Sequence, residues 1–266
     1  MAGERVQFTT YDGLKLAGIL YGAGDQRPCV IMTNGGESEG TPRNEVDPLL
    51  QTRDYYDAFN YAATLPSVDA TKIVYWGSSM SGGNALVATA VNKCVKGVIC
   101  QVPFISSETM VPASAALCNT LLQDRASKIR GQTPLMGPVV PASREEVVSG
   151  TSNAMLKDAS AVGFVEEMAR RGLKIETMVT LQSLLHGVGH EPAAWVRRVA
   201  PRPLLMVVAD QDTTCPAETQ LAVFNKALHP KTLHILRGAS HFEPYFGPAF
   251  EENIQVQLSF LKDVFQ

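Results

Sequence analysis

The stretch Trp76-Gly77-Ser78-Ser79-Met80-Ser81-Gly82-Gly83 lies between an apolar run, Lys72 to Trp76, and an alanine-rich segment from Asn84 to about Val91. A serine at a tight turn from strand into helix projects its hydroxyl above the sheet. The positions two before and two after it must be small, because strand and helix approach each other there. Gly77 and Ser81 hold those positions around Ser79, so the pattern is GxSxS, one step from GxSxG. A serine hydroxyl needs a base to become a nucleophile, and the base needs an acid to orient it. Gly238-Ala239-Ser240-His241-Phe242 follows a short apolar run, Thr232 to Leu236. Ala209-Asp210-Gln211-Asp212-Thr213-Thr214-Cys215-Pro216 follows a longer one, Pro203 to Ala209. Ser79, Asp212 and His241 are thus the candidate nucleophile, acid and base. Asp210 competes for the acid role, but it directly follows the strand and is expected to be tied up in turn hydrogen bonds. Asp212 lies farther out, nearer to where a loop histidine should arrive.

Other chemistry is weakly represented. His186 and His190 are four apart, yet Gly187 and Gly189 argue against a helix there and no carboxylate ligand pattern surrounds them, so no metal is expected. His229 and His234 flank a strand entry as surface or packing residues. Gly35-Gly36 is followed by no Lys-Ser/Thr and is not a phosphate cradle. The five cysteines, Cys29, Cys94, Cys100, Cys118 and Cys215, have no CxxC or Cys/His metal spacing and read as buried free thiols of a reducing compartment. No cofactor is implied. With 23 Lys+Arg against 26 Asp+Glu, spread along the chain, neither nucleic acid nor an anionic membrane surface is an expected partner. No stretch reaches the ~18 uninterrupted apolar residues of a membrane span, and the N-terminus has no apolar signal region. A soluble, cytoplasmic protein is expected.

These residues need a scaffold. At about 150 residues per domain, 266 residues make two small domains or one large α/β domain with an insertion. Val6 to Thr9 and Leu14 to Tyr21 alternate around Tyr11-Asp12-Gly13 and predict an antiparallel hairpin at a sheet edge. Cys29 to Thr33 is a continuous apolar run, as expected for a strand covered on both faces, and Lys72 to Trp76, Gly97 to Val102 and Pro203 to Ala209 are predicted as further buried strands, with Thr232 to Leu236 a shorter fifth. Helices are predicted over residues 48 to 65, from Asn84 to about Val91 and from about Ala249 to Phe265. This alternation predicts a mostly parallel sheet. Between Ile105 and Arg202 the rhythm fails, with broken helical stripes at Phe164 to Met168 and Ile175 to Leu185. The expected division is a core of residues 1–104 and 203–266 and an inserted helical cap of residues 105–202. Met110, Leu117, Leu121, Met155, Phe164 and Met168 are available to line a pocket under that cap.

The chain order Ser, Asp, His is that of α/β hydrolases. From about Val6 to the C-terminus the chain resembles α/β hydrolases of the dienelactone-hydrolase and cocaine-esterase-like kind. More narrowly it resembles the fungal polyketide transferase family of secondary-metabolite clusters. The stretches that carry the resemblance are Gly40-Thr41-Pro42-Arg43, Asp47-Pro48, Lys72 to Gly83, Val95-Lys96-Gly97-Val98 and Gln101-Val102-Pro103. In that family a serine at the position of Ser81 is usual. The resemblance implies a Ser79/Asp212/His241 triad and acyl chemistry on a small-molecule ester or thioester, by hydrolysis or by transfer to an alcohol. It implies oxyanion donors at the backbone N–H of Met80 and in the loop after the third strand, at Gly36. Beyond the substrate, the partner to expect is at most a second copy of the chain, in a homodimer.

One departure from the family stands out. Met32-Thr33-Asn34-Gly35 runs straight into Gly36-Glu37-Ser38-Glu39-Gly40-Thr41-Pro42-Arg43, which resembles the tail of a later motif, so roughly 30 residues, about one helix–strand unit, are missing after residue 35. Either the hairpin re-pairs directly with the Cys29 to Thr33 strand or the sheet is left with an open edge. The same join touches the oxyanion loop, and the alternative expectation is a catalytically impaired member of the fold with a binding or scaffold role.

Overall fold

The computed structural model describes residues 3–22, 24–34, 40–109 and 114–266. Strands β1 (Glu4–Thr9) and β2 (Lys15–Leu20) form the antiparallel hairpin, in the register Glu4↔Leu20 to Thr9↔Lys15. Gly13 takes the positive φ of 88° that the tight turn demands. Contrary to the sheet-edge expectation, the hairpin is its own two-stranded sheet. It leans on α1 (Pro48–Thr64) through Phe8 stacked on Tyr61 at 4.9 Å.

The main sheet has the order β3-β4-β5-β8-β9 and is parallel throughout. Its strands are β3 (Arg27–Met32), β4 (Val68–Ser78), β5 (Gly97–Gln101), β8 (Leu204–Ala209) and β9 (Lys231–Leu236). Between them run α1, α2 (Met80–Val91) and α7 (Ala217–Lys226), and α8 (Gly247–Phe265) closes the chain. Alternate residues of each strand enter opposite cores, as strand geometry requires. Tyr75, Val98, Cys100, Met206 and Val208 pack with α1, α2 and α7. Val74, Ile99, Leu205 and Val207 pack against Phe260, Val256 and Leu261 of α8.

Of the two outcomes expected from the missing unit, the open edge is the one found. The outer side of β3 has no strand partner among the described residues, and Met32 is exposed.

The long connection between β5 and β8 holds α3 (Ala115–Ile129), β6 (Met136–Pro138), α4 (Arg144–Ser149), α5 (Ser160–Arg170), β7 (Met178–Thr180) and α6 (Gln182–Val188). The stripe at Ile175 to Leu185 is therefore not one helix. Met178 to Thr180 pairs antiparallel with Met136 to Pro138, and the helix begins only at Gln182. All five cysteines are free, but only Cys100 and Cys215 are buried; Cys29 is half-buried, and Cys94 and Cys118 are exposed, against expectation. Among the described residues no helix is long and apolar enough to cross a membrane.

Candidate active site

Helix α2 starts at Met80, four residues before the predicted Asn84, because Gly82 and Gly83 serve contact rather than loop formation. A Cβ on Gly83 would collide with the carbonyl of Phe104, and one on Gly82 would press on Pro103. A Cβ on Gly77 would collide with the backbone carbonyl of Ser81. With these glycines the helix enters directly from β4, and Ser79 sits between them at φ 56°, ψ −125°. That positive φ is strained for a residue with a side chain. It is held by the Ser79 N–H donating to Gln101 O (3.0 Å) and the Ser79 carbonyl accepting from Phe104 N–H (2.8 Å) and Gly82 N–H (2.9 Å). Ser81 accounts for the departure from GxSxG. Its hydroxyl accepts from the Ser78 N–H (3.1 Å) and donates to Thr33 O (2.9 Å), tying the elbow to the end of β3.

The loops after β8 and β9 bring the partners in. His241 Nε2 is 2.9 Å from Ser79 Oγ, and His241 Nδ1 is 2.8 Å from Asp212 Oδ2. Asp212 and His241 are buried, at 5% and 1% exposure. Asp212 Oδ1 accepts from the Cys215 N–H (2.8 Å), and Oδ2 also accepts from Gln220 Nε2 (3.3 Å). Asp210 is occupied elsewhere, accepting the Gly238 N–H at 2.7 Å with Arg237 at 3.5 Å. An imidazole held by a carboxylate on Nδ1 presents Nε2 as an acceptor, so the geometry can withdraw the Ser79 proton. Met80 is the first residue of α2, so its backbone N–H has no acceptor within the helix. Gly35 and Gly36 lie outside the described residues.

Ser79 opens on a cavity of about 530 Å³ with a largely apolar wall, including Val139, Val140, Leu156, Phe164, Val165 and Phe242. Of the pocket residues expected from the sequence, Met155 and Phe164 line it. Leu121 is packed in the interior instead, Leu117 and Met168 are not in the wall, and Met110 lies outside the described residues. Phe164 of α5 packs on Phe242 and Tyr245 (5.0 and 5.2 Å between ring centres), which joins the β5–β8 connection to the His241 loop.

A buried polar chain under the site was not foreseen. Trp76 Nε1 donates to Gln257 Oε1 (2.7 Å), Gln257 Nε2 donates to Gln101 Oε1 (3.0 Å), and Gln101 Nε2 donates to Ser78 Oγ (3.0 Å). Asn253 also donates to Gln101 Oε1, and the Tyr245 hydroxyl donates to Ser78 Oγ at 2.6 Å. A signal existed in Asn253 and Gln257, which sit four apart on the buried face of the last helix.

The remaining histidines are placed apart from the site. His186 faces Glu45 (3.3 Å) and Asp47 (3.7 Å), while His190 stacks on Phe104 and burial pushes its imidazole down to about 4, so the two do not converge on a common ligand. His234 pairs with Glu252.

Comparison with known proteins places the fold. A family described as acetyl xylan esterase matches residues 51–112. A thiohydrolase of Eupenicillium brefeldianum is 30% identical over 97% of this chain and 94% of its own length. The polyketide transferase claH of Penicillium crustosum is 30% identical over 97% and 96%. The crystal structure of the α/β hydrolase GrgF from Penicillium sp. sh18, 28% identical, superposes with a TM-score of 0.86 over 100% of this chain and 99% of that one. The alignment with the thiohydrolase spans 294 positions, more than the 266 residues of this chain, so the relative holds residues with no counterpart here. The fold, these relatives and the convergence of the Ser79, Asp212 and His241 side chains lead to one statement of kinship: the chain is an enzyme of hydrolase type and belongs to the α/β-hydrolase family of the fungal polyketide transferases and thiohydrolases.

Proposed function

We propose that the chain is a serine-dependent hydrolase or acyltransferase that takes the acyl group of a small-molecule thioester or ester onto Ser79. The observation that carries this reading is the continuous Ser79–His241–Asp212 hydrogen-bonded line, 2.9 and 2.8 Å, at the wall of the apolar cavity. His241 removes the Ser79 proton as the hydroxyl oxygen attacks the acyl carbonyl carbon. The Met80 N–H, with a second donor at Gly36, holds the oxyanion. Collapse expels the thiol or alcohol, which takes the proton back from His241, and leaves an acyl-enzyme. Water or an acceptor alcohol, deprotonated by the same imidazole, then releases the acyl group. Asp212 fixes the tautomer and favours the imidazolium.

In this reading residues 105–202 are a cap over a core of residues 1–104 and 203–266, and Met155, Phe164 and Val165 from that cap bound an apolar acyl chain. Two of the relatives carry the names thiohydrolase and polyketide transferase, which supports a polyketide-like acyl thioester as the substrate class. A second reading, a binding or scaffold protein, has one observation in its favour. Strand β3 stands at an open edge, and one oxyanion donor is expected just beyond it. Labelling with a fluorophosphonate probe separates the two: Ser79 is modified in the parent and not in Ser79→Ala under the enzyme reading. A protein that circular dichroism finds folded and the probe leaves unlabelled is the binding protein instead.

A further inference from the structure

The polar chain beneath the site has a fixed direction. An indole N–H can only donate, so Gln257 must present its Oε1 to Trp76 and its Nε2 to Gln101. Gln101 therefore accepts at Oε1 and donates its Nε2 to Ser78 Oγ. One lone pair of Ser78 is thus committed. The Ser78 and Tyr245 hydroxyls share a single hydrogen bond, yet they own two hydrogens between them. Whichever hydroxyl donates within the pair, one hydrogen has no acceptor among the described residues. Ser78 is only 7% exposed, and both residues line the cavity onto which Ser79 opens.

We propose that the Ser78–Tyr245 pair is a hydrogen-bond donor subsite that reads an oxygen acceptor, a hydroxyl or keto group, on the acyl chain close to the carbonyl that Ser79 attacks. This rests on the acyl chemistry proposed above. The position follows from sequence adjacency. Neighbouring Cα atoms are about 3.8 Å apart, and both serines line the same cavity, so the oxygen read by Ser78 lies in the part of the acyl chain nearest the reacting carbonyl. The selectivity follows from desolvation. A hydrocarbon chain that fills the cavity shuts water away from the spare donor and leaves it unpaired. An oxygenated chain pairs it. The wall is largely apolar at Val139, Leu156, Phe164 and Phe242, but Thr33 and Asn34 line it too, so the variant lacking both hydroxyls is the arm that separates the Ser78–Tyr245 pair from these other polar groups.

The test measures binding, not turnover. In Ser79→Ala protein, isothermal titration calorimetry with the N-acetylcysteamine thioesters of octanoic and 3-hydroxyoctanoic acid should give about two- to tenfold tighter binding for the hydroxylated ligand. Adding Tyr245→Phe should preserve the preference, because Ser78 keeps its hydrogen. Adding Ser78→Ala together with Tyr245→Phe should bring the ratio to one, with a melting curve confirming the fold. Equal affinities in the Ser79→Ala protein overturn the proposal, as does a preference that survives in the protein lacking both hydroxyls. If that variant does not fold, the ratio in Ser79→Ala and in Ser79→Ala/Tyr245→Phe decides the matter, and equality in either overturns it. Failure of the catalytic reading shows separately, as absence of thioester turnover by the parent while the binding ratio persists.

Discussion

Ser81→Ala removes one hydroxyl and keeps the Cβ in a helix that favours alanine, so its effect isolates the tie between the elbow and β3. The hydroxyl accepts the Ser78 N–H at 3.1 Å and donates to Thr33 O at 2.9 Å, and Ser81 is fully enclosed. Without it the buried Ser78 N–H has no replacement acceptor, a loss of about 1–3 kcal/mol, whereas Thr33 O lies at the half-exposed end of β3, where water can substitute, and costs about 0.5–1.5 kcal/mol. Together these come to about 3 kcal/mol, or a Tm lowered by roughly 6–12 °C in a chain of this size. Differential scanning calorimetry reads that number. Thr33 also anchors the start of the loop expected to supply the second oxyanion donor, so the fluorophosphonate labelling rate should fall about tenfold, short of the 10²–10³ seen for outright loss of a donor. A Tm within about 2 °C of the parent together with an unchanged labelling rate would refute the reasoning, because the hydroxyl would then be holding neither strand end nor loop.

Gly77→Ala places a Cβ against the Ser81 carbonyl at the tightest point of the elbow, and the expected result is no folded protein by circular dichroism. Asp212→Asn should slow labelling of Ser79 by about 10³–10⁴, as loss of the buried acid does in serine proteases, whereas Asp210→Asn should leave the rate within about threefold and cost about 1 kcal/mol through the Gly238 N–H; equal effects would mean the acid has been misassigned. His190 is buried, and its imidazole is pushed down to about 4 from an ordinary 6.5, so the unfolded chain takes up its proton first as pH falls. Its contribution to stability is complete above pH 6.5 and declines by about 3 kcal/mol on acidification to pH 4. Asp54, raised to about 6 by burial and by Asp12 and Asp57, acts in the opposite sense over that range, so urea denaturation should compare the parent with His190→Phe, in which the pH slope between 6.5 and 4 is shallower.

Much of the scaffold was legible because the three inner strands of the main sheet, β4, β5 and β8, bury both faces. Val74 and Tyr75, Val98 and Ile99, or Met206 and Val207 enter opposite cores, so each strand reads as an unbroken apolar run. The elbow was legible because its glycines answer contacts that no Cβ could survive. Asp212 was separable from Asp210 by distance from the strand end alone. The inserted segment was not legible in this way. Met178 to Thr180 is a strand only because Met136 to Pro138 lies beside it, and a three-residue ribbon leaves no periodicity to read. Which of Leu117, Leu121, Met155, Phe164 and Met168 reach the cavity depends on how short helices are turned, and apolar composition carries no such direction. The polar chain from Trp76 to Ser78 escaped for a related reason. Gln101 is a lone polar residue in an apolar strand and Asn253 and Gln257 stand among the other polar residues of the last helix, so their meaning appears only when three separate elements meet.

The contacts among Ser79, His241 and Asp212 draw on one continuous part of the main sheet. Ser79 leaves the end of β4, Asp212 the end of β8 and His241 the loop after β9, and the block β4-β5-β8-β9 is continuous, with Gln101 of β5 bonded to Ser79 N–H in its middle. A helix–strand unit missing after residue 35, as the sequence comparison with the family leads one to expect, would fall beyond β3 and outside that block. It would bear on the other part of the machinery, the loop beyond Thr33 that should supply the second oxyanion donor. The strand that carries this loop has no strand partner on its outer side among the described residues and is tied to the elbow by the Ser81 hydroxyl. Nucleophile activation and the second oxyanion donor thus rest on different supports in this chain. Damage at β3 should then lower the rate of acyl transfer without disturbing the 2.9 and 2.8 Å contacts of His241, whereas damage at the ends of β8 or β9 should disable both.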